Sequence, residues 1–271
     1  MISAIDFPQG ATKEGLLFVG DFSTFGSETV DSICVYDFGD GTIDTTIGDQ
    51  IGSFIGGSKR VLFHEESGGL YFVSGSRLYR YASDGFGDNI DIEDWFEGCL
   101  WGDKIVVIGD DITGNQVGVY DIDADSFSTS EIADPTPSAG WDEVHLLQVK
   151  PITISGTEML AFFGYLRASG SSARYPYCEI YNGSAWAYTL ADDWPVSGSA
   201  FDTSVSELNT DFLVKDDKVW FTHSVSLSGS TSGTNDIDHI VEWDPAGGVA
   251  DGWSVDADPF QTRLNNPNNP D

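Results

Sequence analysis

The sequence predicts an all-β protein built from five successive four-stranded antiparallel units. Three observations carry that reading. Apolar runs are four to seven residues long, rich in Val, Ile, Phe and Tyr, and separated by Gly, Asp, Ser and Asn, which is how strands read. No apolar stripe at helical spacing persists for three turns. A pair of strand types also recurs along the chain about every fifty residues.

The first type of the pair starts at Leu16, Leu70, Ile105, Leu160 and Val219. The second ends in an aromatic and a short polar turn: Tyr36-Asp37, Tyr81-Ala82, Tyr120-Asp121, Tyr181-Asn182 and Trp243-Asp244. A strand precedes each pair, at 2–7, 61–64, 99–101, 144–149 and 212–215. A more polar one follows, at 41–47, 89–95, 126–132, 185–190 and 252–256. The middle strands are almost continuously apolar, as burial on both faces demands, and the outer ones alternate and carry charge, as an exposed edge does.

Four-stranded antiparallel sheets repeated radially make a β-propeller, so residues 1–260 are expected to form one five-bladed propeller, with 261–271 an extended Asn/Pro-rich tail. A six-bladed count and a β-sandwich are the alternatives. The aromatic-Asp turn resembles the closing turn of propeller blades, although the WD-repeat and kelch signatures are missing. Loops between the second and third strands are long in the first unit (22–31), the fourth (167–175) and the fifth (225–238). Equivalent loops fall on one face, which makes Ser23, Ser169, Ser171, Arg174, Ser228, Ser230 and Thr234 the candidate binding residues, because loops on a rigid scaffold carry function.

The chain has 12 Lys and Arg against 44 Asp and Glu, a formal charge of −32. The acids are spread along the sequence, so they do not form an acidic tail. Self-repulsion of this size opposes a compact fold in dilute buffer and is screened at molar salt, where the Debye length is ~3 Å. A high-salt source is therefore expected. Nucleic acid is excluded as a partner because phosphate neutralisation needs Lys and Arg. No apolar run approaches a membrane span, and the N-terminus lacks a basic and an apolar signal region.

Cys34, Cys99 and Cys178 are odd in number and far apart, so they read as reduced and structural. The string Asp121-Ile-Asp123-Ala-Asp125 imitates the start of a Ca²⁺ loop. Ser126 stands where that loop needs Gly, and Glu131 falls one place early. No cofactor is expected, and Ca²⁺ on Asp121, Asp123 and Asp125 is the alternative. Residues 235–239 form a second such string. His64, His145, His223 and His239 show no metal-ligand spacing. Asp6 with Glu158 or Glu179 could be drafted as the carboxylate pair of a glycoside hydrolase, but acids are abundant enough for chance to supply such a pair. GxSxG, Walker A and dinucleotide motifs are missing, and spacing names no nucleophile–His–acid set. The tryptophans at 186, 194, 220, 243 and 253 read as packing rather than sugar platforms.

Acidity and architecture together resemble a β-propeller structural protein of a haloarchaeal tailed virus. That resemblance implies a non-catalytic tail, baseplate or capsid-surface subunit, oligomeric and located in the virion. Its partners would be other virion subunits and a host surface glycoprotein. A carbohydrate-active enzyme is the alternative.

Overall fold

A computed structural model of the chain describes residues 2–8, 14–49, 60–64, 66–74, 77–82, 85–86, 90–91, 94–110, 116–137, 142–167, 175–189, 212–216, 218–226, 236–244 and 253–255. These residues form antiparallel sheets with little helix, as the sequence predicts. The first sheet has the order β1 (Ile2–Pro8), β2 (Glu14–Gly20), β5 (Ile33–Asp37), β6 (Ile43–Asp44). Between β2 and β5 a small hairpin joins β3 (Thr24–Phe25) and β4 (Glu28–Thr29). The second sheet runs β7 (Arg60–His64), β8 (Gly69–Ser74), β9 (Arg77–Ala82), β10 (Gly85–Phe86), with β11 (Ile90–Asp91) also on β9. The third runs β12 (Asp94–Trp101), β13 (Lys104–Asp110), β14 (Val117–Asp121), β15 (Ser126–Ser128). The fourth runs β16 (Glu143–Ile154), β17 (Thr157–Arg167), β18 (Tyr175–Tyr181), β19 (Trp186–Thr189). The fifth runs β20 (Phe212–Lys215), β21 (Lys218–Ser226), β22 (Asp236–Trp243), β23 (Trp253–Val255).

The chain divides into two compact units, residues 1–133 and 134–271; among the described residues the first holds three sheets of four or five strands and the β3–β4 hairpin, and the second holds two four-stranded sheets. In the first unit, strand alternation decides the packing. Leu70 and Phe72 face one way and meet Leu17, Val19, Ile33 and Val35 of the first sheet. Tyr71 and Val73 face the other way and meet Trp95, Ile105, Val107 and Tyr120 of the third. Successive side chains of a strand point to opposite faces, so a strand covered on both sides must be apolar throughout. Residues 70–73 and 105–108 satisfy this, each 0–1 % exposed. In the second unit Ile152, Ile154, Ala161, Phe163, Cys178 and Ile180 of the fourth sheet close on Val219 and Val214 of the fifth.

Side-chain ties also cross between the second and third sheets. Arg60, at the start of β7, pairs with Glu97 just after a bulge in β12. His64, at the end of β7, reaches Asp103 in the β12–β13 turn, Nε2 to Oδ1 3.3 Å. The corresponding ends of the two sheets therefore lie together.

Two expectations about fourth strands are corrected. Of the strand expected over 89–95, only Ile90–Asp91 pairs in the second sheet. Trp95 belongs to β12 and is fully buried, edge-on to Phe127 at 5.8 Å. The second sheet is closed by that short β11 together with β10, where Phe86 lies opposite Tyr81. Alternation around Trp95 is equally compatible with a ladder upstream or downstream, and only the packing of its indole chooses. In the first sheet the strand expected over 41–47 stops at Asp44. The Asp44 carboxylate accepts from Thr46 N–H at 2.9 Å, an N-cap that starts one helical turn at 46–49. That turn delivers Ile47 to the core.

Among the described glycines, Gly164 marks the closest backbone approach. A Cβ there would stand 1.9 Å from the carbonyl oxygen of His145, inside the β16–β17 ladder. We expect Gly164→Ala to destabilise the protein by about 3 kcal/mol, the upper range for overpacking, measured by denaturant titration at constant salt. The three cysteines are buried thiols; burial pushes the Cys34 thiol up to about 11 and Cys178 well above its ordinary value. A disulfide-exchange thiol reagent at pH 8 should find no fast-reacting thiol in the native protein and three after unfolding.

Candidate functional site

The best-organised polar groups lie at the sheet ends where the second-to-third connections leave. In the first sheet that connection is not a loose loop. Phe25 of the β3–β4 hairpin packs on Phe18 at 4.6 Å and on Phe22 at 6.1 Å. The chain is then fastened by Val30 N–H to Ser23 O at 3.1 Å and Ser32 N–H to Phe22 O at 3.1 Å. Ser23 is exposed at the root of this hairpin, so one sequence candidate stands on a braced surface. Ser169, Ser171, Arg174, Ser228, Ser230 and Thr234 lie outside the described residues.

The equivalent end of the fourth sheet carries a cluster that the sequence reading missed. Register pairs Glu143 with Arg167 and His145 with Tyr165. Glu143 Oε2 accepts from Arg167 Nε at 2.8 Å and from Nη2, and lies 3.0 Å from His145 Nε2. The His145 ring stacks on Tyr165, centroids 4.7 Å apart and planes at 20°. Hydrogen bonds from His145 and then Arg167 hold the Glu143 carboxyl below its ordinary value. In a chain this poor in cations, two cationic or protonatable groups converge on one carboxylate beside an aromatic. Directly opposed residues on one face of an antiparallel pair do meet, but the sequence signal required the register of two long strands.

The Asp string is absorbed by its own turn. Asp121 Oδ1 accepts from Ala124 N–H at 2.8 Å, while Oδ2 lies 3.7 Å from Lys104 Nζ. Asp125 has φ 49° and accepts the Tyr120 hydroxyl at 2.6 Å. Burial, and then Asp125, raises the Tyr120 phenol above its ordinary value. Asp123 is exposed. Among the described residues no three His, Cys, Asp or Glu side chains are grouped to hold a metal. The same turn recurs after two other aromatics: Asp37 Oδ1 accepts from Gly39 N–H at 2.7 Å, and Asn182 Oδ1 from Ser184 and Ala185 N–H, both at 3.0 Å. The shared side chain is thus a turn former, the Asx geometry that lets Asp and Asn replace a backbone bond.

The drafted carboxylate pair fares differently at each member. Glu179 is buried and accepts the Tyr177 hydroxyl within its own strand. Glu158 is exposed near the β16–β17 turn. The side chain of Asp6 lies outside the described residues, as do residue 235 and the side chains of His223 and His239. Trp186 packs edge-on to Phe162 at 5.0 Å and Tyr181 at 5.5 Å, in keeping with a packing role; Trp194 lies outside the described residues.

At the opposite end of the second and third sheets, His64 links a serine and an aspartate that spacing could not connect. Ser67 Oγ lies 2.9 Å from His64 Nδ1, and the Ser67 N–H donates to the same nitrogen at 3.3 Å. Asp103 takes the other ring nitrogen. His64 and Asp103 come from different sheets, which is why no linear motif announces them.

No family model matches the sequence, and no curated protein matches it. Solved structures do. An auxiliary nutrient binding protein from Bacteroides ovatus matches at 13 % identity and TM-score 0.39, over 89 % of this chain and 53 % of that one. The extracellular domain of a protein described as a one-component system from B. thetaiotaomicron matches at 13 % identity and TM-score 0.45, over 90 % and 28 %. This chain therefore spans about half or less of the length of those structures.

Two outcomes follow from the geometry. Asp121→Ala should cost about 1 kcal/mol, the value of one turn hydrogen bond, and millimolar EDTA or Ca²⁺ should leave the wild-type melting temperature unchanged. Glu143 is ionised more readily folded than unfolded, so its contribution is present above the unfolded carboxyl value and is lost as pH falls through the lowered folded value. Glu143→Gln should therefore be less stable than wild type at neutral pH, and the gap should close on acidification in a pH series of melting curves.

Proposed function

We propose that this chain is a binding and structural subunit of a larger assembly that works in concentrated salt. In this reading its sheets are arranged radially, as blades of one five-bladed propeller, and it acts by contact through the ends that carry the second-to-third connections. The observation that carries the reading is the cluster Glu143, His145, Tyr165 and Arg167, a stacked aromatic with fixed opposite charges at one such end. The braced Phe22–Phe25 hairpin at the equivalent end of the first sheet supports it. Rigid polar and aromatic groups suit recognition of a protein or glycan surface, because little entropy is lost when they bind.

High salt enters through the charge of −32, which needs screening for compactness and for subunits to approach one another. A virion of a halophilic virus, with the chain at its tail, baseplate or capsid surface and a host surface glycan as ligand, is the assembly we propose.

Light scattering on the purified chain should give a mass above one protomer in ~3 M KCl and a monomer or unfolded chain in ~0.1 M KCl, with screening lengths of about 3 Å or less and ~10 Å. Arg167→Ala should weaken binding to immobilised envelope glycans of a halophilic host and leave the mass unchanged. A monomer at every salt concentration would remove the assembly reading, and the assays would turn to glycoside hydrolysis.

A further inference from the structure

We propose that Ser67 is an activated nucleophile, with His64 as its general base and Asp103 as the residue that positions the imidazole. Together they form a site that accepts the acyl group of small esters. The site lies at the turn end of the second and third sheets, opposite the loop ends described above, and the proposal does not rest on the binding role.

The hydrogen bonds settle the polarity. The Ser67 backbone N–H can only donate, so His64 Nδ1 must be the unprotonated nitrogen. The Ser67 hydroxyl, 2.9 Å from that nitrogen, then donates to it. The ring proton resides on Nε2 and faces Asp103 Oδ1 at 3.3 Å. A hydroxyl on a basic nitrogen, with the base oriented by a carboxylate, is the arrangement that activates serine, recognised by roles rather than by fold. Here the two ring nitrogens exchange the partners they have in chymotrypsin-like enzymes.

Exposure is graded as the chemistry needs. The imidazole is buried, its side chain 9 % exposed. Ser67 is exposed. Gly68 follows it with φ 63° and leaves open space where a side chain would stand. The Gly69 N–H donates to Ser67 Oγ at 3.3 Å and so fixes the hydroxyl in place beside the imidazole. The imidazole thus bridges two turns that belong to different sheets.

The step balances. Ser67 Oγ bonds to the ester carbonyl carbon, and its proton passes to His64 Nδ1. The C–O bond to the alcohol breaks, and the leaving oxygen takes that proton. Water then attacks the acyl-serine with His64 again as base, releasing the carboxylic acid and restoring the hydroxyl.

The test treats the full chain with a biotinylated fluorophosphonate and maps the adduct by mass spectrometry, with p-nitrophenyl acetate turnover measured in parallel. The expected adduct is on Ser67. His64→Gln should slow it about a hundredfold, the scale of general-base catalysis, and Asp103→Asn should shift the pH profile of labelling. A second variant guards against misfolding. Ser67→Cys places a thiol beside His64, and iodoacetamide should alkylate it faster than an ordinary exposed thiol, with the advantage lost in the Ser67→Cys/His64→Gln double variant. Unreactive native cysteines report that each variant is folded. A folded protein with no adduct on Ser67, or with equal labelling in His64→Gln, would overturn the proposal, as would ordinary alkylation rates for the thiol introduced by Ser67→Cys.

Discussion

Burial of both faces of the inner strands is the constraint on which the rest of the structure depends. Because strand side chains alternate, a sheet packed on one neighbour needs only every second residue to be apolar. The second sheet packs on two. Leu70 and Phe72 serve the first sheet, and Tyr71 and Val73 serve the third. That single demand fixes the near-continuous apolar sequence of β8 and β13. It also leaves most polar chemistry to strand ends and turns, with Tyr177 and Glu179 inside β18 as an exception, and it explains why a buried thiol such as Cys178 behaves as a small hydrophobe.

With the inner strands largely apolar, several of the few cations tie elements together at strand ends. Arg60 joins β7 to β12 through Glu97. Lys104 joins the start of β13 to Asp121 and to Glu131 beyond β15, and the hydrogen bond to Glu131 holds its ammonium above the ordinary value. Arg167 and His145 meet at Glu143 across the β16–β17 ladder. Exposed pairs of this kind contribute little singly, typically under about 1 kcal/mol. Their placement, at ends of strands whose register is already set by the core, gives geometry more than stability. The same holds for the turn carboxylates. Asp37, Asp121 and Asn182 fold the chain back after an aromatic, which is a local task that leaves their charge or dipole committed.

Much of the fold could be read from the residues. Ile33–Asp37, Val117–Asp121 and Phe212–Lys215 fall on strands with the expected bounds, because alternation and turn residues are local properties of the chain. Five sets of strands in the expected order have the same cause. The reading failed where the local signal was symmetric. Trp95 could pair backward or forward, and Asp44 could continue a strand or cap a helical turn. The acidic string at 121–125 was ambiguous for another reason: Asp is frequent everywhere, so its spacing carried little information until the Ala124 N–H and the Tyr120 hydroxyl claimed it.

The sequence by itself determined strand periodicity, the repeated aromatic-Asp turn, the burial of the cysteines and the charge, since each depends on residues close in the chain or on composition. Tertiary structure alone decided which polar groups meet. Glu143 finds Arg167 through the register of two strands, twenty-four residues along the chain. His64 finds Asp103 only because two different sheets stack with corresponding ends together. Contacts of that kind depend on how sheets pack, and packing depends on shape and apolar area over many residues at once, which no short motif records.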